Sequence, residues 1–155
     1  MPRIVCASEQ AAAEGTSLRI LCGAEKDYTD QTGNVWSRDA FFAGGTPTST
    51  DAAVSGTSPT AGDMELYQHG RTGNDFTYSL PVKPGLYTVR LKFAETKYAW
   101  SFERPFNLCI NGRRVLENFD VCQAAHGSNR AYERVFHNIV PGGEGSIVLR
   151  FTGGF

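Results

Sequence analysis

Three histidines, His69, His126 and His137, lie far apart along the chain, and none stands in an HExxH, GxSxG or cysteine–histidine context. The spacing therefore offers no positioned nucleophile and base. A carboxylate pair for cleaving a glycosidic bond could be drawn from Asp39, Glu95, Glu103 and Asp120. That chemistry needs two carboxyl groups at a fixed separation, however, and acidic groups at strand ends are ordinarily solvated. The run Asp27-Tyr28-Thr29-Asp30-Gln31-Thr32-Gly33-Asn34 places hard oxygen donors close together, as calcium prefers, yet their order is not that of an EF-hand loop. The same residues read as a tight turn in which Asp27, Asp30 and Asn34 accept local backbone N–H bonds and Gly33 supplies a free φ. Neither a metal nor a cofactor is expected.

Rings at loop positions are the more informative signal. Trp36, Phe41, Phe42, Tyr67, Tyr98 and Trp100 fall outside the alternating apolar pattern described below. A sugar ring offers a flat C–H face that lies well on an aromatic ring, and its hydroxyls pair with Asp, Asn, Gln and Arg side chains. The competing reading is that Trp36 and Phe42 plug the ends of a core. The four cysteines, Cys6, Cys22, Cys109 and Cys122, form no CxxC pair and no zinc spacing. Cys22 and Cys109 sit in apolar runs and read as buried thiols, while the even count also permits two disulfides.

The elements that must position these residues are strands. Tyr87, Val89, Leu91 and Phe93 alternate with Thr88, Arg90 and Lys92, which puts the apolar set on one face. The pattern recurs at Phe76, Tyr78 and Leu80, at Phe106, Leu108 and Ile110, at Tyr132, Phe136 and Val140, and at Ile147, Leu149 and Phe151. No segment carries a helical stripe. Turns fall between the runs at Pro84-Gly85, Asn111-Gly112 and Pro141-Gly142-Gly143. Asn111-Gly112 predicts a hairpin joining a strand that ends at Ile110 to one that starts near Arg114, because both turn residues tolerate positive φ. Short strands with regular turns predict an all-β sandwich or barrel. The stretch from Gly44 to Gly62 is Gly, Thr, Ser, Pro and Ala apart from Asp51 and Val54. It predicts a long exposed loop, either a binding loop or a linker. A short echo relates Arg3-Ile4-Val5-Cys6-Ala7-Ser8-Glu9 to Arg19-Ile20-Leu21-Cys22-Gly23-Ala24-Glu25.

With 155 residues, 41% hydrophobic, 20% charged and a formal net charge of -1, the chain reads as one ordinary folded domain, not a disordered, collagenous or coiled-coil one. The near-zero charge argues against nucleic acid, which wants a basic face. No apolar run approaches the roughly 20 residues of a membrane-spanning helix. Ser8, Glu9, Gln10 and Glu14 interrupt the only signal-like start, so the sequence reads as intracellular or as a piece of a longer secreted chain.

Four blocks, in order, resemble a known family. They are Arg19-Ile20 with Cys22-Gly23, Asp27-Tyr28-Thr29-Asp30 and Gly33-Asn34-Val35-Trp36-Ser37-Arg38-Asp39; Leu66-Tyr67-Gln68 with Arg71; Tyr78-Ser79-Leu80-Pro81-Val82 with Pro84-Gly85-Leu86-Tyr87; and Leu91-Lys92-Phe93-Ala94-Glu95. Together with Arg104-Pro105-Phe106, Ile110-Asn111-Gly112 and Asn118-Phe119-Asp120, they are similar to the malectin and malectin-like carbohydrate-binding modules, from about residue 18 to residue 152. The resemblance implies a jelly-roll β-sandwich without enzymatic activity that binds glucose-containing oligosaccharides through loop aromatics. It also implies an extracytoplasmic setting alongside other domains of a longer protein. On this likeness residues 1–17 are an N-terminal extension and 18–155 the sandwich, with its long loop at 44–62.

Carried over by position, the family's aromatic pair after the Phe93-Ala94-Glu95 block falls on Lys97 and Tyr98, and the tyrosine after Arg71 falls near Thr72, so one ring is kept and two are lost. Trp100 is then the natural replacement platform. The expected ligand-contacting set is Asp39, Phe42, Tyr67, Arg71, Glu95, Tyr98 and Trp100. On that likeness the family's final strand would follow Phe155, so the sandwich is expected to lack its last strand, with Arg3 to Ala7 as a substitute. The reading from another class is a structural or protein-interaction sandwich that has lost its sugar site.

Overall fold

The computed structural model describes residues 5–10, 17–56 and 63–153. Strands β1 (Val5–Gln10), β2 (Leu18–Leu21), β7 (Tyr87–Phe93) and β10 (Tyr132–Ile139) form one antiparallel sheet in the order β10-β7-β1-β2. Strands β5 (Phe42–Ser49), β6 (His69–Pro81), β8 (Phe106–Ile110), β9 (Arg113–Phe119) and β11 (Ser146–Gly153) form a second, in the order β5-β6-β11-β8-β9. A two-stranded ribbon, β3 (Tyr28–Thr29) with β4 (Val35–Trp36), and the single helical turns α1 (Glu65–Gln68) and α2 (Val121–Ala124) complete the described elements.

The alternation read from the sequence is the core of this sandwich. Ile20, Tyr87, Val89, Leu91 and Phe93 from the four-stranded sheet meet Phe76, Tyr78, Leu80, Phe106, Leu108, Ile110, Ile147, Leu149 and Phe151 from the five-stranded sheet in one buried cluster. Each ring or branched chain removed from water there contributes roughly 1.5–3 kcal/mol. The hairpin forms as its turn residues dictate: Ile110 faces Arg113 across it, with Asn111 and Gly112 at φ +50° and +80°. The apolar face of β10 ends sooner than its alternation suggested. Asn138 adopts φ +59° where the β10–β7 register shifts, and Val140 beyond it is 61% exposed, so it leaves the stripe.

Two further expectations are corrected. The stretch from Gly44 to Gly62 is not one loop, because Gly44–Ser49 belongs to β5, an edge strand laid along β6. Its composition hid this: an edge strand with its side chains in solvent needs backbone pairing, not apolar residues, and Pro47 is tolerated on an edge. Residues 57–62 of that stretch lie outside the described residues. Cys109 is only half-buried on the outer face of β8, while Cys22 and Cys122 are buried, and all three are free thiols. The two echoed segments are neighbours in the sheet, pairing antiparallel with Cys6 opposite Ile20 and Val5 opposite Leu21. Val5–Gln10 thereby bridges β2 and β7, whereas Arg3 and Ile4 lie outside the described residues.

The strand directions gather the long connections at one end. Leu21, Phe93 and the start of β10 at Tyr132 share that end of the four-stranded sheet, through the pairings Val5↔Leu21, Val5↔Lys92 and Tyr132↔Phe93. Phe106 and Phe119 pair at the matching end of the other sheet. The rings of Phe93, Phe106, Phe119 and Tyr132 touch in succession, with centroids 5.5–6.0 Å apart, and tie the two sheet ends together. The connections 22–41, 94–105 and 120–131 therefore leave the sandwich at the same end.

Candidate functional site

Beneath those connections lies a second apolar cluster of Leu21, Ala24, Trp36, Val54, Leu66, Tyr67 and Ala94. Trp36 is a plug of this cluster, and its indole N–H donates to Asp30 Oδ2 at 3.0 Å. The Asp30 carboxylate also accepts from the Thr32 and Asn34 backbone N–H groups at 2.9 Å each. Burial works to raise its pKa, but the bonds from Trp36, Thr32 and Asn34 outweigh that and hold the carboxyl well below its ordinary range. This is the tight turn read from the sequence, and its oxygens are spent on its own chain. Tyr28 packs on the same cluster and donates its hydroxyl to Asp63 at 2.9 Å. Burial, followed by the Asp63 carboxylate, pushes the Tyr28 phenol up to about 12.

Alongside the ribbon a groove of about 590 Å³ is lined by Lys26, Tyr28, Thr48, Ser49, Glu65 and His69, among others. His69 Nε2 and Glu65 Oε1 meet at 3.0 Å on its wall. None of these residues was singled out from the sequence as a ligand contact. Two of them flank the Leu66-Tyr67-Gln68 block and one lies in the Asp27-Tyr28-Thr29-Asp30 block, so the signal was adjacency to blocks read for their rings.

The seven residues expected to contact ligand fall into separate groups. Arg71, Asp39 and Phe42 come together. Arg71 Nη2 and Nε donate to Asp39 Oδ2 at 2.8 and 3.1 Å, Nη1 donates to the Gly44 and Gly45 carbonyls at 2.9 Å, and the guanidinium lies over the Phe42 ring. Tyr78 donates its hydroxyl to the other Asp39 oxygen at 2.7 Å; burial and the neighbouring Cys22 and Asp39 raise its pKa far above normal. The side chains of Arg71 and Asp39 are buried, whereas Phe42 is 44% exposed. Tyr67 is 2% exposed, and its hydroxyl accepts from Lys92 Nζ at 3.4 Å. Lys92 in turn donates to Glu133 at 2.6 Å, and Glu133 also pairs with Arg90. Burial raises the Glu133 carboxyl, but Lys92 and Arg90 together hold it below its ordinary value.

Glu95, Tyr98 and Trp100 share the 94–105 connection. Glu95 Oε1 accepts from the Lys97 and Tyr98 backbone N–H groups at 2.8 and 3.0 Å and from Arg104 Nη2 at 2.8 Å. The Arg104 guanidinium lies 4.3 Å from the Tyr98 centroid, so this ring is half-buried against a cation. Further along, the Trp100 backbone N–H donates to Glu103 Oε2 at 3.1 Å and the Phe102 backbone N–H to Asp120 Oδ2 at 2.8 Å. Phe102 takes φ +66°, a conformation costly for a bulky residue, and the Asp120 bond helps to hold it there. Trp100 is 76% exposed and Phe102 64%. Phe102 was missed in the sequence because its neighbours Glu103 and Arg104 gave it no distinguishing pattern. Three carboxylates thus fix one connection so that two large rings face solvent, an arrangement that hydrophobicity alone would not maintain.

Among the described residues no helix is long and apolar enough to cross a membrane, and no group of three or more His, Cys, Asp or Glu side chains could hold a metal ion.

Comparison with known proteins gives the same architecture a family. Malectin-B of Xenopus laevis and malectin of Homo sapiens are 33% and 32% identical to this chain over 96 residues, which is 59% of it. The chain spans about a third of the length of these relatives, 34% and 32% respectively. Among solved structures, the ANX2 ectodomain from Arabidopsis thaliana matches 87% of this chain and 43% of its own, with a TM-score of 0.74 at 19% identity. Bacteroides uniformis beta-glucuronidase 2 matches 97% of this chain and 20% of its own, with a TM-score of 0.70 at 17% identity. These likenesses establish the fold. The Malectin domain model matches residues 16–147, and the chain belongs to the malectin domain family.

Proposed function

We propose that this chain is a non-catalytic carbohydrate-binding module that takes glucose-containing oligosaccharides at the loop end of the sandwich. The observation that carries the reading is the exposed Trp100 indole on a connection fixed by Glu95, Glu103 and Asp120. An aromatic face already held in place costs little ordering on binding, and the C–H face of a pyranose suits it. Family membership supports the same ligand class. Tyr98 supplies a second ring edge, and the groove beside Tyr28, Glu65 and His69 supplies hydroxyl partners at the same end. The four carboxylates named for hydrolase chemistry, Asp39, Glu95, Glu103 and Asp120, accept bonds from their own chain, which supports a binding role over a catalytic one. The solved neighbours include the ANX2 ectodomain from Arabidopsis thaliana, and we place this module outside the cytoplasm as part of a larger protein. Shallow aromatic platforms gain modest free energy, so dissociation constants from about micromolar to millimolar are expected, roughly -8 to -4 kcal/mol.

The test is a tryptophan-fluorescence titration with glucose disaccharides of differing linkage. Trp36 and Trp100 are the only tryptophans, and Trp36 is buried, so a contact at the site reads out through Trp100. A saturable change with one linkage supports the proposal. A flat response up to about 10 mM, beyond the weak end of that range, overturns it in favour of a protein-interaction sandwich.

A further inference from the structure

The open side of the sandwich between β9 and β10, away from the loops that carry Trp100, holds a second groove of about 600 Å³. Both strands are sheet edges, so each offers backbone groups without a neighbouring strand. The floor is apolar: Ile110 is buried, and Val115, Phe136 and Ile139 are partly buried against the main core. The rest of the lining is Arg113, Arg114 and Arg134 with Val135, His137 and Asn138, so its formal charges are the three guanidinium groups. No carboxylate lines it. Glu117 pairs with Arg114 of the lining at 2.8 Å, which leaves Arg113 and Arg134 as its unpaired cations, while Glu133 is committed to Arg90 and Lys92 on β7. Arg113 and Arg134 are exposed and have no ion pair among the described residues, and the Arg134 guanidinium lies 5.8 Å from the Phe136 centroid. The β10–β7 register shifts between Phe136 and Ile139, so a bulge lies in the groove wall.

We propose that this groove binds an extended acidic peptide segment in which carboxylates alternate with apolar side chains. Period-two alternation sends every second side chain to the same face, so apolar groups would settle on Val115, Phe136 and Ile139 while carboxylates reach Arg113 and Arg134. The free strand edges supply the main-chain bonds that such a segment needs, which a saccharide would not use. Arginine is suited to the carboxylates because its planar fork pairs with them in bidentate geometry.

The experiment is fluorescence anisotropy of a labelled eight-residue peptide alternating Glu and Val, titrated with the 155-residue protein at low and moderate salt. Saturable binding that weakens at least tenfold in the Arg113→Glu/Arg134→Glu double variant, weakens by less in Arg113→Gln/Arg134→Gln, and survives in Trp100→Ala supports the proposal. Both arginines are exposed, and an unchanged near-ultraviolet CD spectrum confirms that the variants fold. Binding that is absent, or indifferent to both double variants, overturns it. So does equal binding of a Glu/Ser peptide or of an oligouronate, either of which would mark the groove as a general anion site. The sugar titration is read separately through Trp100, so failure of one proposal leaves the other standing.

Discussion

The guanidinium carbon of Arg71 lies 3.5 Å from the centroid of the Phe42 ring, although in the β5–β6 register Arg71 faces Pro47, five residues away along the strand. On a regular strand that offset is about 16 Å. The distance closes because Thr72 faces Thr46 and Phe76 faces Gly44, so three residues of β6 oppose the single residue Gly45 and the strand bends there. Gly45, at φ +68°, lets the bend close: a Cβ on it would meet Arg71 Cγ at 2.9 Å and the Thr72 carbonyl oxygen at 2.9 Å.

Removing the arginine tests how much this brace holds. In Arg71→Met the buried Asp39 carboxylate keeps only Tyr78 among its side-chain donors, and breaking one partner of a buried pair costs about 3–5 kcal/mol. Urea unfolding should show the midpoint falling with an unchanged slope. The double variant Asp39→Asn/Arg71→Met should recover part of the loss, since no uncompensated charge remains. A single variant within about 1 kcal/mol of the parent would show that the pair is not a brace.

Gly23 and Gly70 give a sharper steric test. A Cβ on Gly23 would sit 2.0 Å from the Gly70 carbonyl oxygen, and Gly23 is already at φ +77°. Neither the backbone of β6 nor that of the connection after β2 can yield cheaply, so Gly23→Ala should cost more than about 4 kcal/mol. Gly112→Ala is the control. Its φ is +80° and nothing lies within 4 Å of the added atom, so only left-handed strain of about 1–2 kcal/mol applies. Similar thermal melts for the two variants would refute the close-approach argument.

Strands with one buried face were legible because period two survives in any sequence that must bury alternate residues. Hence the runs at Phe76–Leu80, Tyr87–Phe93, Phe106–Ile110 and Ile147–Phe151 appear in place. The strand β5 was not legible, since an exposed edge asks nothing of side-chain polarity. The site was harder still. Sequence brought out Asp39, Phe42 and Arg71 as residues of suitable type, but only the bend at Gly45 says that they meet, and only the three-dimensional register says that the arginine's donors are occupied. The groove residues Lys26, Glu65 and His69 are unremarkable in type, and convergence of two loops with an edge strand is what makes them neighbours.

Acid should act through Asp30. Its carboxyl is held below the ordinary 3.8 in the folded chain, so it contributes stability that is complete above about pH 4 and is lost as pH falls through that value toward the folded pKa. Asp30→Asn forfeits this contribution at neutral pH. The gap in melting temperature between parent and variant should therefore be widest near pH 7 and narrow steadily below pH 4. A constant gap from pH 7 to pH 2.5 would assign the effect to packing around Trp36 instead of charge.

Trp100 separates binding from folding. With three quarters of its surface in solvent, its removal exposes little that was buried, so Trp100→Ala should change stability by less than about 0.5 kcal/mol. The proposed sugar contact has no other fully exposed ring on this connection except Phe102, whose position depends on Asp120. Calorimetric titration with the disaccharide that binds the parent should show at least a tenfold loss, about 1.4 kcal/mol. Asp120→Asn should give a smaller loss, because the amide keeps one oxygen for the Phe102 N–H while weakening the clamp. If Trp100→Ala binds as the parent does and Asp120→Asn does not, the platform is Phe102 with its neighbouring backbone, and the indole is a bystander.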